Sequence, residues 1–180
     1  MRALLIFTML FDRDDFALFD LPRRFALDAD DLAARRRAVQ GEVHPDRFAA
    51  AGAAAQRAAM QWAVRVNEAY ERLKDPLKRA AYLCELAGVP IRAEDNTAMP
   101  LEFLTQQMAW REGLDDATAP AAVEAIAADI DAHRRAAYEE LTRSIDESAD
   151  YDRAARQVRA LMFVERFGSD VSDRLASLEA

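Results

Sequence analysis

His44, Pro45 and Asp46 place a titratable ring, a rigid residue and a carboxylate side by side in a predicted loop. An imidazole next to a carboxylate is the pairing that hydrolases use as a general base and its orienting group. The neighbouring sequence supplies no nucleophile, oxyanion hole or phosphate-binding loop, which argues against an enzyme. Pro45 fixes one backbone torsion, so both flanking side chains lose less entropy on docking. Taken alone, the tripeptide is more typical of an ordinary turn with His44 near the negative end of a helix; the alternative is a loop that recognises a partner.

Other residues that could bind a metal or undergo redox chemistry are sparse. Cys84 is the one cysteine, and His44 and His133 are far apart in the sequence and outside any HExxH spacing. No glycine-rich segment has the spacing of a phosphate-binding loop. We therefore expect no metal, no cofactor and no disulfide, and a lone thiol is typical of a cytoplasmic protein.

The composition predicts an all-α fold. Of the 180 residues, 39 are alanine, the strongest helix former, whereas only 5 are glycine and 6 are proline. A chain of this length also buries enough surface to fold without a metal or disulfide. Strand-rich, collagen-like and disordered classes are excluded by the same counts.

Proline, glycine and aspartate mark the ends of the predicted helices. Asp28 is the expected N-cap of the second helix, Gly88 ends the fourth, and Thr118 is expected to cap the sixth, with Pro120 at its first position. The helices are predicted over residues 14–19, Ala29–Val43, 53–73, 77–87, 100–114, 120–147 and 150–178. The second and third, joined by a loop over 45–52, form an antiparallel hairpin; the last three form an antiparallel three-helix bundle.

Apolar periodicity predicts how the hairpin packs. One face of the second helix carries three apolar residues and Arg36, which we interpret as an arginine whose stem covers the edge of the core. The third helix shows a three-four rhythm that predicts a buried seam facing them. The facing sets are Leu32, Val39 and Val43 on one helix and Met60, Ala63, Val66 or Asn67, Tyr70 and Leu73 on the other.

The net charge of −8 lies entirely in the second part of the chain. Residues 1–76 contain 12 Lys/Arg and 12 Asp/Glu, whereas residues 77–180 contain 12 and 20. Binding a nucleic-acid backbone needs clustered cations, so this balance argues against a nucleic-acid partner. The apolar run over residues 3–11 is short beside the about 20 residues that cross a bilayer, so no membrane partner is expected.

The HPDRF segment at residues 44–48 lies between two antiparallel helices and follows a helix carrying Arg35, Arg36 and Arg37. This combination resembles the J-domain of DnaJ-type co-chaperones. The resemblance implies a surface that docks on the ATPase lobe and linker of a DnaK-like chaperone and triggers ATP hydrolysis there. The implied chaperone-binding residues are Arg35 and Arg37 for electrostatic steering, His44 for hydrogen bonds, Pro45 for backbone geometry, Asp46 for pairing with a partner arginine, and Arg47 beside them.

Further segments between residues 14 and 178 resemble the HscB family, the J-proteins of iron–sulfur cluster assembly. They include DFALF at 15–19, VNEAY at 66–70, DPLKRAAYL at 75–83, Phe103-Leu104, Arg111-Glu112, Val158-Arg159 and Phe163. The family has other residue types where Gly41, Val43, Thr105 and Ala109 stand here.

The resemblance implies that the bundle holds the scaffold protein on which the cluster is assembled, of IscU type, and delivers it to an HscA-type chaperone. The family's binding face is apolar, ringed by acids on the first bundle helix, with an aromatic from the last. The matching residues are Leu104, Met108, Glu112 and Asp116, one helical face, with Phe163. Without the resemblance, such a stripe is more typical of a core.

The predicted organisation is an N-terminal extension over residues 1–13, a J-domain over 14–88, a connector over 89–99 and a scaffold-binding bundle over 100–180. The predicted function is that of an adaptor which activates the ATPase of a partner chaperone and has no enzymatic activity of its own. The alternative is a J-domain adaptor that delivers a different client protein.

Overall fold

The computed structural model describes residues 13–43, 52–92, 99 and 101–179, and every regular element in these ranges is helical. The elements are α1 (Asp15–Leu18), α2 (Ala29–Val43), α3 (Ala53–Lys74), α4 (Pro76–Leu86), α5 (Leu101–Asp116), α6 (Pro120–Thr142), a π-helical segment (Arg143–Glu147) that continues α6, and α7 (Tyr151–Glu179). The all-α prediction is confirmed. The chain divides into two compact units, Met1–Arg79 and Ala80–Ala180, with the division inside α4.

Aspartate side chains cap the helix starts, as the sequence predicts for Asp28. Its Oδ1 accepts hydrogen bonds from the backbone N–H groups of Asp30 and Asp31 at 2.8 and 3.1 Å. Asp14, Asp75 and Asp150 do the same for α1, α4 and α7. The Thr118 prediction is wrong, because Ala119 is the N-cap of α6 and makes no side-chain hydrogen bond. Pro120 at the first position fixes the helical torsion without that cap.

Gly88 ends α4 as predicted. Its φ of 80° is a left-handed conformation that suits glycine. The Gly88 N–H donates to the Glu85 carbonyl at 3.0 Å, and the Val89 N–H donates to the Cys84 carbonyl at 2.9 Å. These two bonds form a Schellman motif, which satisfies carbonyls that the helix end would leave unpaired.

The hairpin of α2 and α3 forms the body of the first unit. The predicted seam on α3 is confirmed at Val66 and Leu73, and at its other positions the buried face is rotated by about one residue. The residues buried on α3 are Ala55, Ala59, Trp62, Val66, Ala69 and Leu73. Met60 is 57% exposed and Asn67 is also exposed. The rotation buries the large Trp62 ring together with alanines that allow close helix approach. On α2, Leu32 is buried and Val39 is half-buried; the side chain of Val43 lies outside the described residues.

The second unit contains α5, α6, α7 and the end of α4, with its core between the long helices. Val123, Ile130, Leu141, Val158, Leu161 and Val164 are buried there at 1% exposure or less. Trp110 on α5 and Phe167 on α7 stack with their planes 12° apart and 6.2 Å between centroids. The helices α5 and α7 end at Asp116 and Glu179, close to the predicted ends. The helical run that begins at Pro120 ends at Glu147, as predicted, and its last five residues, Arg143–Glu147, are π-helical.

Candidate functional site

Arg35, expected as a steering charge, is anchored within the first unit. Its Nε donates to both carboxylate oxygens of Asp31 at 3.0 Å, one turn earlier on α2. Its Nη1 donates to the Phe19 carbonyl at 3.1 Å and to the Asp20 carbonyl at 2.5 Å. The Asp31 hydrogen bonds, with help from Asp20, raise the pKa of the Arg35 guanidinium. Arg35 therefore joins α2 to the end of α1, and its charge is fixed at that position.

The neighbouring arginines have different surroundings. Arg36 is half-buried; its Nη2 donates to Asn67 Oδ1 at 3.0 Å, and its guanidinium lies 4.2 Å from the centroid of the Tyr70 ring. This contact agrees with our interpretation that its stem covers the edge of the core. Arg37 is exposed on the same helix. Of the three, Arg37 presents its charge to solvent most openly.

The predicted HPD loop lies outside the described residues. His44, Pro45, Asp46 and Arg47 fall between the end of α2 at Val43 and Gly52, the N-cap of α3. Their roles stay predictions from the sequence. The two helices that flank this loop, α2 and α3, are both described, and Leu32, Trp62 and Val66 are buried in them.

In the second unit, α5 presents the predicted apolar centre and acidic rim to solvent. Leu104 is 40% exposed and Met108 is 62% exposed, whereas most large apolar residues of this unit are buried. Glu112 and Asp116, on the following turns, are exposed as well. Exposure of two large apolar side chains one turn apart is typical of a binding surface rather than a core.

Phe163 on α7 is half-buried and contacts α5. Its ring meets Phe103 edge-on at a centroid distance of 6.0 Å, and stacks parallel to Phe167 at 5.9 Å. The Arg111 guanidinium lies 5.4 Å from its centroid. Because Arg111 follows Met108 by three residues, these contacts bring Phe163 to the exposed side of α5. The structure thus brings Phe163 to the same helix that carries Leu104 and Met108.

Two residues near this surface were missed in the sequence analysis. Arg111 places a positive charge over Phe163, inside the rim that we expected to be acidic. Met162, next to Phe163 on α7, is 43% exposed and adds a flexible apolar side chain. The i, i+3 and i, i+7 spacing of Arg111 from Met108 and Leu104 was the signal that could have found it.

Aromatic side chains of α5 and α6 pack against each other next to this surface. The centroid of the His133 ring on α6 lies 5.6 Å from that of Phe103 and 5.3 Å from that of Trp110, which it meets edge-on. The Trp110 Nε1 donates to Asp129 Oδ2 at 2.6 Å, which fixes the indole. Burial lowers the pKa of His133, and the nearby Asp129 carboxylate opposes this effect. His133 also lines a cavity of about 770 Å³ between α5, α6 and α7.

Within the described ranges, no group of three or more His, Cys, Asp or Glu side chains could hold a metal ion. Among the same residues, no helix is long and apolar enough to cross a membrane.

Comparison with known proteins gives concordant results. The family model described as "HSCB C-terminal oligomerisation domain" matches residues 99–172. A "Co-chaperone protein HscB homolog" of Burkholderia multivorans is 54% identical over 167 residues, covering 91% of this chain and 95% of the relative. Another from Bordetella pertussis is 52% identical over 160 residues, covering 88% of this chain and 94% of the relative.

Two solved structures are similar throughout. The structure of "Chaperone HscB from Vibrio cholerae" has a TM-score of 0.77 and 35% identity, and covers 92% of this chain and 99% of that one. The crystal structure of human co-chaperone protein HscB has a TM-score of 0.83 and 26% identity, and covers 89% of this chain and 81% of that one. The all-helical fold and these relatives identify the class of protein as a co-chaperone. Within that class, the chain belongs to the HscB family.

Proposed function

We propose that this co-chaperone binds an IscU-type scaffold protein of iron–sulfur cluster assembly, delivers it to an HscA-type chaperone in the cytoplasm and stimulates that chaperone's ATPase. The J-domain would span residues 14–88, the connector 89–99 and the scaffold-binding bundle 100–180. The observation that supports it best is the exposed pair Leu104 and Met108 on α5, the helix whose Phe103 and Arg111 contact Phe163, in an otherwise well-packed bundle.

Scaffold binding is proposed for the surface formed by Leu104, Met108, Glu112, Asp116 and Phe163. The apolar side chains lose water on contact, and the carboxylates at the rim steer a basic partner surface and select its orientation. Phe163 is held between Phe103 and Phe167, so its ring loses little freedom on binding.

Chaperone binding is proposed for Arg35, Arg37, His44, Pro45, Asp46 and Arg47. The exposed Arg37 offers long-range attraction to an acidic chaperone surface. The anchored Arg35 keeps its charge in one place, so it costs little entropy in a docked pair. His44 and Asp46 then supply the short-range hydrogen bonds and ion pair that trigger hydrolysis in the partner.

The first test is single-turnover ATP hydrolysis by a purified HscA-type chaperone with the scaffold protein. The wild-type co-chaperone should accelerate hydrolysis, and His44→Gln should abolish the acceleration while scaffold binding and the circular dichroism spectrum are unchanged. Acceleration by His44→Gln equal to that of wild type would refute the proposed role of the tripeptide.

The scaffold surface has its own test with a matched control. Burying the exposed part of Met108 contributes about 1–2 kcal/mol, so Met108→Ala should weaken scaffold binding roughly 5- to 30-fold by calorimetry. Met60 on α3 is exposed to a similar degree, 57% against 62%, so Met60→Ala makes the same change away from the surface and should leave the affinity unchanged. Unchanged affinity in a Leu104→Ala, Phe163→Ala double variant that still stimulates the chaperone would instead indicate a different client.

A further inference from the structure

A second cavity, of about 400 Å³, lies in the second unit and shares no lining residue with the proposed scaffold surface. The turn that follows α4, from Gly88 to Arg92, forms one wall. The other wall is a single stripe of α7 formed by Asp152, Ala155, Arg156 and Arg159. Residues spaced three and four apart share one helical face, so the stripe presents its charged groups together.

The charge of this cavity is opposite to that of its surroundings. Arg92, Arg156 and Arg159 bring three positive charges, and Asp152 brings one negative charge. Residues 77–180 as a whole carry the entire net charge of −8. Some other arginines of this unit pair with carboxylates, for example Arg134 with Glu165 at 2.9 Å. For Arg92 and Arg156, in contrast, the described part of the chain offers no ion-pair partner within 4 Å.

Arg159 places one fixed positive charge at the cavity wall. Its side chain is buried, at 8% exposure, and its Nη1 donates to the Ile91 carbonyl at 3.0 Å. Its Nε is buried without a hydrogen-bond partner among the described residues. The hydrogen bond to the Ile91 carbonyl therefore holds in place the guanidinium of a side chain that lines the cavity.

We propose that this cavity binds the phosphate group of a small ligand. A phosphate monoester carries close to two negative charges at neutral pH, which balances the excess of two positive charges among the described lining residues. Planar guanidinium groups donate paired hydrogen bonds that fit phosphate oxygens, and Arg159 holds one such group in place. Val89, Pro90 and Ala155 provide apolar wall beside the arginines, and the volume accommodates more than a phosphate ion alone. Free phosphate and a nucleoside diphosphate share this chemistry.

The test is calorimetric titration of the full chain with inorganic phosphate and, separately, with ADP, at ionic strength held constant with NaCl. We expect saturable binding with one site per chain. Arg156→Gln should weaken it at least tenfold, the change expected from losing one charge-assisted hydrogen bond. Asp152→Asn should tighten it, because the substitution removes a negative charge from the cavity. Tighter binding of ADP than of phosphate would identify a nucleotide as the source, and equal binding would identify the free anion.

The control is Arg166→Gln, which removes the same charge from an exposed position on α7 outside the cavity. It should leave the affinity unchanged. Arg156 is exposed, so its substitution leaves the fold intact, and a thermal shift with phosphate that disappears in Arg156→Gln provides a second readout. Absence of saturable binding, or equal weakening by Arg166→Gln and Arg156→Gln, would overturn the proposal.

Discussion

Replacing Asp15 by Asn should destabilise the first unit more than most single substitutions would. The Asp15 carboxylate is fully buried; its Oδ1 lies 2.6 Å from Arg65 Nη2, and its Oδ2 lies 2.9 Å from Arg72 Nη1. These ion pairs connect Asp15 on α1 to two arginines, seven residues apart, on α3. Removing one partner of a buried ion pair costs about 3–5 kcal/mol, because the remaining charge stays without compensation.

The expected cost lies below that range. The side chains of Arg65 and Arg72 are 21% and 43% exposed, so both guanidiniums recover part of their hydration once the carboxylate is gone. We therefore expect Asp15→Asn to lower the free energy of unfolding by about 2–3 kcal/mol and the midpoint temperature by roughly 10–20 °C.

The two tryptophans allow the measurement to be assigned to one unit. Trp62 is buried in the first unit and Trp110 in the second, so a Trp110→Phe background makes urea unfolding by fluorescence specific for the first. Asp20→Asn is the control, since the Asp20 side chain is fully exposed and its substitution should change stability by less than about 0.5 kcal/mol. A loss in Asp15→Asn no larger than in the control would refute the reasoning.

Three further outcomes are expected. Gly41 is an exposed helical residue, and a Cβ added there would meet nothing within 4 Å, so Gly41→Ala should raise the free energy of unfolding by about 0.5–1 kcal/mol. Gly52 has a φ of 90°, so Gly52→Ala should instead lower the free energy of unfolding. The folded-state pKa of His133 is below its unfolded value of about 6.5, so the free energy of unfolding should fall as pH drops through 6.5. His133→Gln should abolish that loss, and equal pH dependence of stability in both proteins would contradict the prediction. Burial raises the pKa of Cys84 to about 11, so a thiol reagent at pH 8 should leave the native protein unmodified and react after denaturation; rapid native-state modification would contradict this.

Features determined by neighbouring residues could be predicted from the sequence. The caps at Asp28 and Asp150 and the helix end at Gly88 depend on hydrogen bonds between groups a few residues apart, which the local sequence specifies. The helix bounds follow from them, and α2 was predicted residue by residue. The predicted end of the sixth helix at Glu147 is confirmed, but the change to a π-helix over Arg143–Glu147 has no such local signal.

Features that depend on a choice between similar helix faces were decided by tertiary packing. Both Met60 and Trp62 continue an apolar rhythm on α3, and the sequence pattern favoured the stripe that contains Met60. Packing against α2 instead buries Trp62, because the larger ring removes more apolar surface from water.

The proposed sites divide in the same way. Leu104, Met108, Glu112 and Asp116 share one helix, so their common face was visible in their spacing alone. The contact of Phe163 with Arg111 and the cluster around Arg159 join residues from different helices and turns. Contacts of that kind are determined by how the chain packs in three dimensions, and only the tertiary structure specifies them.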